Sequence, residues 1–222
     1  MDYVVKIGGS LLDHPEELRR LCATLGGLAT EVGFLVVPGG GWFADAVREA
    51  HRTLGISDRA AHEMALLAMD QYGLLLADIT PGSVTTRDLE GAREARAREL
   101  LPILLPYSMA SKASEIPASW DATSDSVSAY VAKLVGARRL VLVKDVDGIF
   151  DKDPKVDPSA VLLERIKASE LLEMECGCVD RLLPELLISW GIVCYVVSGL
   201  HPDRVERVLR GEGARATIVE PY

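Results

Sequence analysis

The chain has 222 residues, of which 49% are hydrophobic and 26% charged, a composition typical of a globular protein with a substantial core. Its formal net charge is −9, which argues against binding to nucleic acids or anionic membranes, because both require a basic surface. The apolar runs are too short for a signal peptide or a membrane-spanning helix. The four cysteines are scattered, which predicts reduced thiols in a cytoplasmic protein.

The segment from residue 3 to residue 11 predicts a buried strand that ends in a glycine turn. Residues 3–7 are apolar except Lys6, and Gly8-Gly9-Ser10 follows, where the missing side chains let backbone N–H groups approach a ligand. An ammonium inside an apolar strand needs a nearby anion, because an unpaired buried charge costs several kcal/mol. A polyphosphate would supply that anion. Alternatively, Lys6 lies at the strand end and extends its ammonium into solvent.

Strand and helix patterns alternate along the rest of the chain, which predicts an α/β fold with a mainly parallel sheet. Further strands are expected at residues 34–37, 101–105, 139–143, 162–166, 192–197 and 216–219. Helices are expected from residue 15, at 42–54, from 57 or 58, and at 87–99, 123–135, 168–174, 179–190 and 202–210. Residues 78–86 and 151–158 have loop composition. The aperiodic segment 107–120 predicts a junction between two lobes, 1–120 and 121–222, of one domain spanning residues 1–222.

Three glycine-containing turns follow predicted strands: Gly8-Gly9, Gly39-Gly40-Gly41 and Ser198-Gly199. The carboxyl ends of parallel strands lie at one edge of a sheet, where ligands bind. Two neighbouring turns of this kind, each with backbone N–H groups and a helix N-terminus, could hold two anionic groups. The chain contains neither the P-loop nor the dinucleotide-binding glycine spacing.

Four motifs in a fixed order resemble the amino acid kinase superfamily, which includes acetylglutamate, aspartate, uridylate and isopentenyl phosphate kinases. They are K-I-G-G-S at 6–10, V-P-G-G-G at 37–41, S-D-S-V-S-A-Y-V-A at 124–132 and L-V-L-V-K-D-V-D-G-I-F at 140–150. The resemblance covers the whole chain and implies a three-layer αβα sandwich on an open, mainly parallel eight-stranded sheet. It also implies a phosphotransferase that uses ATP and Mg²⁺, binds the acceptor in its N-terminal lobe and ATP in its C-terminal lobe, and forms a homodimer or larger homo-oligomer.

The resemblance assigns roles to particular residues. Lys6 would bridge the transferring phosphoryl group, and Asp125 would orient the catalytic lysines and the metal bound to ATP. The nucleotide would contact Gly8, Gly9, Ser10, Lys144, Asp145, Asp147, Gly148, Ile149, Phe150 and Asp151. The acceptor would contact Gly39, Gly40, Gly41, Asp45, Arg48, Arg59 and Asp121. No residue is expected to hold a metal by itself, and Asp147 and Asp151 could alternatively be plain turn residues, because Asp-Gly favours turns.

Two positions depart from the pattern of the superfamily. Ser124 stands where an asparagine normally precedes the aspartate of the middle helix. The second catalytic lysine of the superfamily is expected near residues 176–185, but this chain has the sequence C-G-C-V-D-R from Cys176 to Arg181 and no lysine. Arg181 or Lys144 could supply the missing charge, or the metal could carry it alone; of these, we assign it to Arg181.

Within the superfamily, four segments are most similar to a group that phosphorylates an aminomethylfuran methyl phosphate in methanofuran biosynthesis. The segments are residues 37–49, 68–73, 144–149 and 178–184. Candidate partners are Arg48 and Arg59 for the phosphate, Trp42, Phe43 and Tyr72 for the ring, and Asp45, Asp58 or Glu63 for the amine. The alternative for the charged residues is an ordinary solvated surface, and for Trp42 a place in the core.

Other functions stay open at this point. The acceptor could be a nucleoside monophosphate, isopentenyl phosphate or a carboxylate, although the second glycine turn lacks the histidine of isopentenyl phosphate kinases. A storage or sensor protein that binds a nucleotide without turnover would also fit the fold. For a phosphate acceptor we expect direct in-line transfer without a phosphoenzyme, and no general base is needed because the attacking oxygen is already ionised.

Overall fold

The computed structural model describes residues 1–154, 156–174 and 177–222. Within these residues, eight strands form one sheet in the spatial order β3-β4-β2-β1-β5-β7-β8-β6, and all neighbouring strands run parallel except β7 and β8. The strands are β1 Tyr3–Ile7, β2 Phe34–Pro38, β3 Ser83–Thr86, β4 Leu101–Leu104, β5 Arg139–Lys144, β6 Arg165–Lys167, β7 Val193–Ser198 and β8 Ala216–Glu220. The expected eight-stranded, mainly parallel sheet is therefore confirmed.

Helices cover both faces of the sheet and complete the expected αβα sandwich. They are α1 Pro15–Leu28, α2 Gly41–Leu54, α3 Asp58–Ile79, α4 Leu89–Ala97, α5 Tyr107–Ala110, α6 Ser124–Val135, α7 Ala168–Glu173, α8 Leu183–Trp190 and α9 Pro202–Leu209, and a short 3₁₀ helix spans Gly9–Asp13. One core contains the apolar sides of α6 and α8, and the other contains those of α1 and α9. No described helix is both long and apolar enough to cross a bilayer.

Strand β1 lies at the centre of the sheet and determines which way Lys6 points. Side chains alternate along a strand, so Val4 packs into the core beneath α6 while Val5 and Ile7 pack into the opposite core. Lys6 has the same parity as Val4 and therefore points towards the face that α6 covers. It pairs in register with Val37 of β2 and Leu142 of β5, so it has a strand on either side.

Several elements differ from the sequence-based expectation, among them β3, β6 and α8. Residues 83–86, expected as loop, form edge strand β3, because pairing with β4 satisfies their backbone hydrogen bonds. The sequence does not reveal this strand, since a half-buried polar segment lacks the hydrophobic pattern of a strand. The strand expected at 162–166 begins only at Arg165, since Leu162 instead bridges to Phe150. The helix expected from residue 179 begins at Leu183, after bends at 179–182.

The predicted division at residue 120 also divides the sheet. Strands β1 to β4 come from residues 1–120 and occupy one half of the strand order, and β5 to β8 come from the remainder and occupy the other half. The sheet is continuous between the halves through the pairing of β1 with β5. The division into an acceptor lobe and a nucleotide lobe stays a prediction.

Two adjacent glycines near the end of α1 allow a matched test of helix packing. A Cβ on Gly26 would overlap the carbonyl of Pro81, whereas a Cβ on Gly27 would have no atom within 4 Å. We expect Gly27→Ala to raise the free energy of unfolding by about 0.5–1 kcal/mol, because alanine is the better helix former. Gly26→Ala should lower it by about 1–3 kcal/mol through overpacking. Urea unfolding measures both changes, and equal midpoints for the two variants would contradict this packing.

Candidate active site

The three glycine turns lie side by side at one edge of the sheet. The backbone N–H of Gly8 donates to the carbonyl of Val143 at 2.7 Å, and that of Gly39 donates to Ile7 at 2.8 Å. The N–H of Gly199 donates to the carbonyl of Lys144 at 2.7 Å. These bonds join the ends of β1, β2, β5 and β7, so the turns form one continuous rim.

The first two turns pack against each other so closely that a side chain would not fit between them. A Cβ on Gly9 would overlap the backbone nitrogen and Cα of Gly41. Gly9 is therefore required for the contact between the turns, in addition to any approach of a ligand to its N–H. The buried hydroxyl of Tyr72 supports the rim from below by donating to the carbonyl of Gly8 at 3.3 Å.

A carboxylate shared between two ammonium groups lies beneath the rim. Asp125, near the start of α6, has its Oδ1 atom 2.9 Å from Nζ of Lys6 and its Oδ2 atom 2.8 Å from Nζ of Lys144. Lys6 is 5% exposed and Asp125 is 2% exposed. The anion that Lys6 requires is thus supplied first by the protein itself, and the alternative in which its ammonium extends into solvent is wrong.

The charges of this group stabilise one another against burial. Burial by itself raises the pKa of Asp125, but Lys144 and Lys6 outweigh it and hold that pKa well below its usual range. For Lys6, burial dominates and lowers the pKa, although the negative charge of Asp125 opposes the shift. For Lys144, burial also lowers the pKa, but Asp125 more than compensates and the net direction is upward. The net pKa shifts of the two lysines therefore have opposite directions, although both Nζ atoms lie within 3 Å of the same carboxylate.

The N-terminus of α6 is held by a second buried carboxylate, Asp180. Its Oδ2 accepts from the backbone N–H groups of Thr123 and Ser126 at 2.8 and 2.9 Å, and its Oδ1 accepts from Leu183 at 2.9 Å. Sequence analysis missed Asp180. Asp180 precedes the N-cap residue Leu182 of α8 by two positions, so it does not occupy the N-cap position that a local sequence pattern identifies, and its contacts with α6 join residues more than 50 positions apart.

A cavity of about 1020 Å³ opens above these groups. The first two glycine turns and the N-terminus of α6 line one side, and residues 171–174, 177–181, 184 and 185 line the other within the described chain. A smaller apolar pocket of about 80 Å³ continues from it between α2, α3 and α6. Trp120 lines both spaces. The centroid of its ring lies 5.6 Å from Cζ of Arg48 and 5.6 Å from the centroid of the His51 ring.

The charged lining of the large cavity is predominantly acidic. Its described lining includes the carboxylates of Asp13, Asp45, Asp121, Asp125, Glu173, Asp180 and Glu185, against the cations of Lys6, Arg48, Lys144 and Arg181. Lys6 and Lys144 lie beneath the glycine rim and at the carboxyl end of β5, where an anion can be held, whereas Arg48 lies on α2 and Arg181 on the opposite wall. The remaining acidic wall favours ligands that carry positive charge, such as a metal ion bound to a polyphosphate or an ammonium group.

Comparison with known proteins identifies the family. The model of the amino acid kinase family matches residues 1–189. The chain belongs to the amino acid kinase family. A [5-(aminomethyl)furan-3-yl]methyl phosphate kinase from Methanocaldococcus jannaschii is 35% identical over 95% of this chain and 94% of its own length. A uridylate kinase from Archaeoglobus fulgidus is 25% identical over 98% of this chain and all of its own.

The fold comparison agrees with the sequence comparison. The crystal structure of the uridylate kinase from Archaeoglobus fulgidus superposes with a TM-score of 0.77 over 99% of this chain and 100% of its own, at 23% structural-alignment identity. The relatives named here are kinases, both those similar in sequence and the one similar in fold. The protein is an ATP-dependent kinase of the amino acid kinase family.

The structure brings most of the predicted acceptor residues of this kinase to the cavity. Gly40, Gly41, Asp45, Arg48 and Asp121 all line it, whereas Gly39 is buried beneath the turn. Arg59 lies outside: its guanidinium is exposed and pairs with Glu63 on the surface of α3. We therefore withdraw Arg59 and Glu63 from the acceptor site.

The aromatic candidates separate into wall and core. Trp42 is 54% exposed and lines the cavity, where its indole N–H donates to Asp13 at 2.8 Å, so a place in the core is wrong for this residue. Tyr72 is fully buried and cannot contact an acceptor. Phe43 packs partly against the core formed with α1 and α9. Asp58 lines the smaller pocket and pairs with His51 at 2.9 Å.

The predicted nucleotide residues also separate into two groups. Gly9, Ser10 and Lys144 line the cavity, and Ser10 donates to the carboxylate of Asp145 at 2.8 Å. Gly8 lies behind them, with its N–H bonded to β5. Residues 147–151 instead pack away from the described cavity wall, in contact with the segments around β8 and residues 161–162.

Five contacts hold residues 147–151 against α9, the segment around β8 and residues 161–162. Asp147 accepts from Arg204 at 2.6 Å and from Arg215 at 2.7 Å, and Asp151 accepts from the N–H of Val161 at 2.7 Å. The N–H of Ile149 donates to Thr217 at 2.8 Å next to Gly148, and Phe150 bridges to Leu162. These contacts are compatible with the alternative reading as turn residues, and a place for Asp147 and Asp151 at the nucleotide stays a prediction.

Lys144 and Arg181 are the two candidates for the second catalytic cation. Lys144 is held directly by Asp125, whereas Arg181 lies exposed on the cavity wall. The geometry favours Lys144, because a fixed ammonium beside Lys6 neutralises charge without reorganising. Cys176, in the same predicted motif, lies outside the described residues.

Removal of the ammonium of Lys6 tests the group directly. We expect Lys6→Ala to lower turnover at least about a hundredfold while the fold survives. One well-placed charge lowers the activation free energy by about 3–4 kcal/mol, and the substitution removes that stabilisation. Lys112→Ala, which removes an exposed lysine outside the cavity lining, is the matched control and should leave turnover unchanged. ADP release measures activity, and circular dichroism checks the fold. Near-normal turnover in folded Lys6→Ala would exclude Lys6 from the mechanism.

Proposed function

We propose that this kinase transfers the γ-phosphoryl group of ATP to the phosphate of a small monoester and so forms a diphosphate. The observation that carries this proposal is the pair of ammonium groups, Lys6 and Lys144, fixed by Asp125 beneath two glycine turns at the floor of one cavity. Phosphoryl transfer requires positioning and charge neutralisation more than covalent chemistry. This group supplies both.

In the proposed reaction, an oxygen of the acceptor phosphate attacks the γ-phosphorus and forms the new P–O bond. The bond between that phosphorus and the β,γ-bridging oxygen breaks, and its electron pair leaves with ADP. The attacking oxygen is already ionised at neutral pH, so no side chain has to remove a proton. Lys6 and Lys144 face the oxygens on which negative charge moves, and each contributes roughly 4 kcal/mol per unit charge at about 4 Å and an effective dielectric constant of about 20.

Magnesium enters this proposal as part of the substrate Mg·ATP. Among the described residues, no group of three or more histidine, cysteine, aspartate or glutamate side chains could hold a metal ion. Both oxygens of Asp125 already face ammonium groups. Mg²⁺ usually binds through phosphate oxygens and few carboxylates, and the acidic cavity wall is compatible with such a complex.

For the acceptor, we propose [5-(aminomethyl)furan-3-yl]methyl phosphate, the compound named in the relative from Methanocaldococcus jannaschii. This molecule combines a phosphate, a ring and an amine that is protonated at neutral pH. The cavity offers Arg48 near the rim, the exposed rings of Trp42 and Trp120, and Asp13, Asp45 and Asp121 on its acidic wall. Uridine monophosphate is the second candidate, because several relatives are uridylate kinases. Its uracil is neutral and gains less from an acidic wall.

A panel of acceptors distinguishes these candidates. ADP release would be measured with Mg·ATP and the aminomethylfuran phosphate, its hydroxymethyl analogue, uridine monophosphate, isopentenyl phosphate, glutamate or no acceptor, and phosphorus NMR would identify the product. We expect the amine to raise kcat/KM at least about tenfold over its hydroxymethyl analogue, the effect of about 1.4 kcal/mol.

Other outcomes have defined meanings. ADP release with uridine monophosphate, but not with the amine, would replace the proposed acceptor. Tight binding of ATP without any acceptor-dependent ADP would instead indicate a nucleotide-binding sensor or storage protein.

We also propose that the protein is a cytoplasmic homo-oligomer. Helix α3 exposes Met64, Leu67 and Leu74 at helical spacing, and a second copy of the chain would cover this apolar stripe. The buried thiols of Cys22 and Cys194, neither of them in a disulfide, fit a reducing compartment. Light scattering on the purified protein measures its mass in solution, and a monomer at micromolar concentration would contradict the proposed assembly.

A further inference from the structure

Asp180 makes an unusually complete set of hydrogen bonds for a single buried carboxylate. Oδ2 accepts from the N–H of Thr123 at 2.8 Å, its hydroxyl at 2.9 Å and the N–H of Ser126 at 2.9 Å. Oδ1 accepts from the hydroxyl of Ser126 at 2.6 Å and the N–H of Leu183 at 2.9 Å. The residue is only 9% exposed. These hydrogen bonds satisfy the carboxylate. Within the described part of the chain, the two lysines form their ion pairs with Asp125 and not with Asp180.

These donors belong to the beginnings of two helices. The N–H groups at a helix start have no partner within the helix and must be satisfied from outside. Thr123 is the N-cap residue of α6, and its side chain makes no cap within that helix. Asp180 supplies the cap from a distant part of the chain and satisfies α8 at Leu183 with its other oxygen. One side chain therefore joins the start of α6 to the start of α8 and to the cavity wall that residues 177–181 form.

Asp125 lies directly between the two α6 residues that Asp180 holds. Thr123 precedes it by two positions and Ser126 follows it. A shift of the first turn of α6 would move the Asp125 carboxylate away from Lys6 and Lys144. The bonds to Asp180 oppose such a shift on both sides of Asp125.

Asp180 also completes the charge balance of the buried group. Lys6 and Lys144 carry two positive charges, and Asp125 and Asp180 carry two negative charges. Burial raises the pKa of Asp180, and the charge of Asp125 raises it further, while bonds from Ser126 and Thr123 oppose both. In turn, the negative charge of Asp180 is one of the influences that raise the pKa of both lysines. The other titratable groups coupled to the set are the thiols of Cys194 on β7 and Cys178.

We infer that Asp180 is a positioning residue for phosphoryl transfer, which holds the first turn of α6 so that Asp125 keeps both lysines at the rim and which supplies the second negative charge of the group. This inference rests on the proposed kinase reaction. Asp180 acts through α6, Asp125 and the lysines, and it has no direct contact with substrate in this scheme. Both of its effects, geometric and electrostatic, can be separated by substitution.

Three variants separate them. Asp180→Asn keeps the size of the side chain, removes its charge and replaces one acceptor by a donor that faces N–H groups. Asp180→Glu keeps the charge and displaces the carboxylate. Ser126→Ala, the matched control, removes the hydroxyl bond at 2.6 Å without changing any charge. For each variant, kcat, KM and the pH dependence of kcat/KM would be measured with the acceptor that the wild type uses, together with amide hydrogen exchange at Thr123 and Ser126.

For Asp180→Asn we expect kcat to fall at least about tenfold. KM for ATP should change less than about threefold, because ATP in the ground state contacts many cavity residues besides the two lysines. The alkaline limb of kcat/KM should move to lower pH, since loss of a negative charge lowers the pKa of Lys6 and Lys144 and they lose their protons sooner. Asp180→Glu should lower kcat and leave this limb in place. Ser126→Ala should lower kcat less than Asp180→Asn and also leave the limb in place.

The inference is overturned if folded Asp180→Asn has the kcat and the alkaline limb of the wild type. It is also overturned if Asp180→Asn and Ser126→Ala lower kcat equally and neither moves the limb, because Asp180 would then be only a structural cap. If Asp180→Asn does not fold, the comparison of Asp180→Glu with Ser126→Ala decides: wild-type kcat in Asp180→Glu overturns the positioning role, and a larger loss than in Ser126→Ala supports it.

Failure of the proposed function is recognised separately. In that case the wild type releases no ADP with any acceptor. Amide exchange then still tests the positioning part: exchange at Thr123 and Ser126 that is at least about tenfold faster in Asp180→Asn supports it, and unchanged exchange overturns it.

Discussion

The contact on which the site depends is a single carboxylate shared between two ammonium groups. Asp125 joins the carboxyl end of β1 through Lys6 to that of β5 through Lys144, and it does so from the first turn of α6. Charges of this kind are costly to bury, and the cost is offset only when each has close partners of opposite sign. The protein therefore holds two cations in a fixed position before any phosphate arrives. That arrangement suits catalysis, because preorganised charges need no rearrangement when negative charge moves through the transition state.

The sheet makes this contact possible through its topology. Two strands from distant parts of the chain lie next to each other and end at the same level, so that their turns form one rim. The parity of β1 directs Lys6 towards α6, and Asp180 holds the start of that helix in place. The cavity above then combines cations at its floor with carboxylates along its walls. This distribution is compatible with a metal-bound polyphosphate and with the proposed acceptor, which carries an ammonium group in addition to its phosphate.

The structure also reassigns residues that local patterns had grouped together. Tyr72 had been a candidate for the acceptor ring, but it is buried and supports the backbone of Gly8. Asp147, a predicted nucleotide residue, pairs with Arg204 and Arg215, and its role at the nucleotide stays a prediction. In both cases the residue type fitted the chemistry, while its partners came from distant segments. Whether Asp121 and Asp45 contact the acceptor stays a prediction that their place on the cavity wall supports.

The sequence by itself determined the alternation of strands and helices and the three glycine turns, and it predicted an anion for Lys6 as one of two alternatives. These features depend on hydrophobic period, on backbone freedom at glycine and on the cost of a buried charge, all of which are local properties. Only the tertiary structure decided that the anion is Asp125, that Asp180 holds α6, that residues 83–86 form an edge strand and that Arg59 lies outside the site. Each of these depends on which segments lie next to each other in space. A local pattern does not contain that information, because the stabilising partner is tens of residues away along the chain.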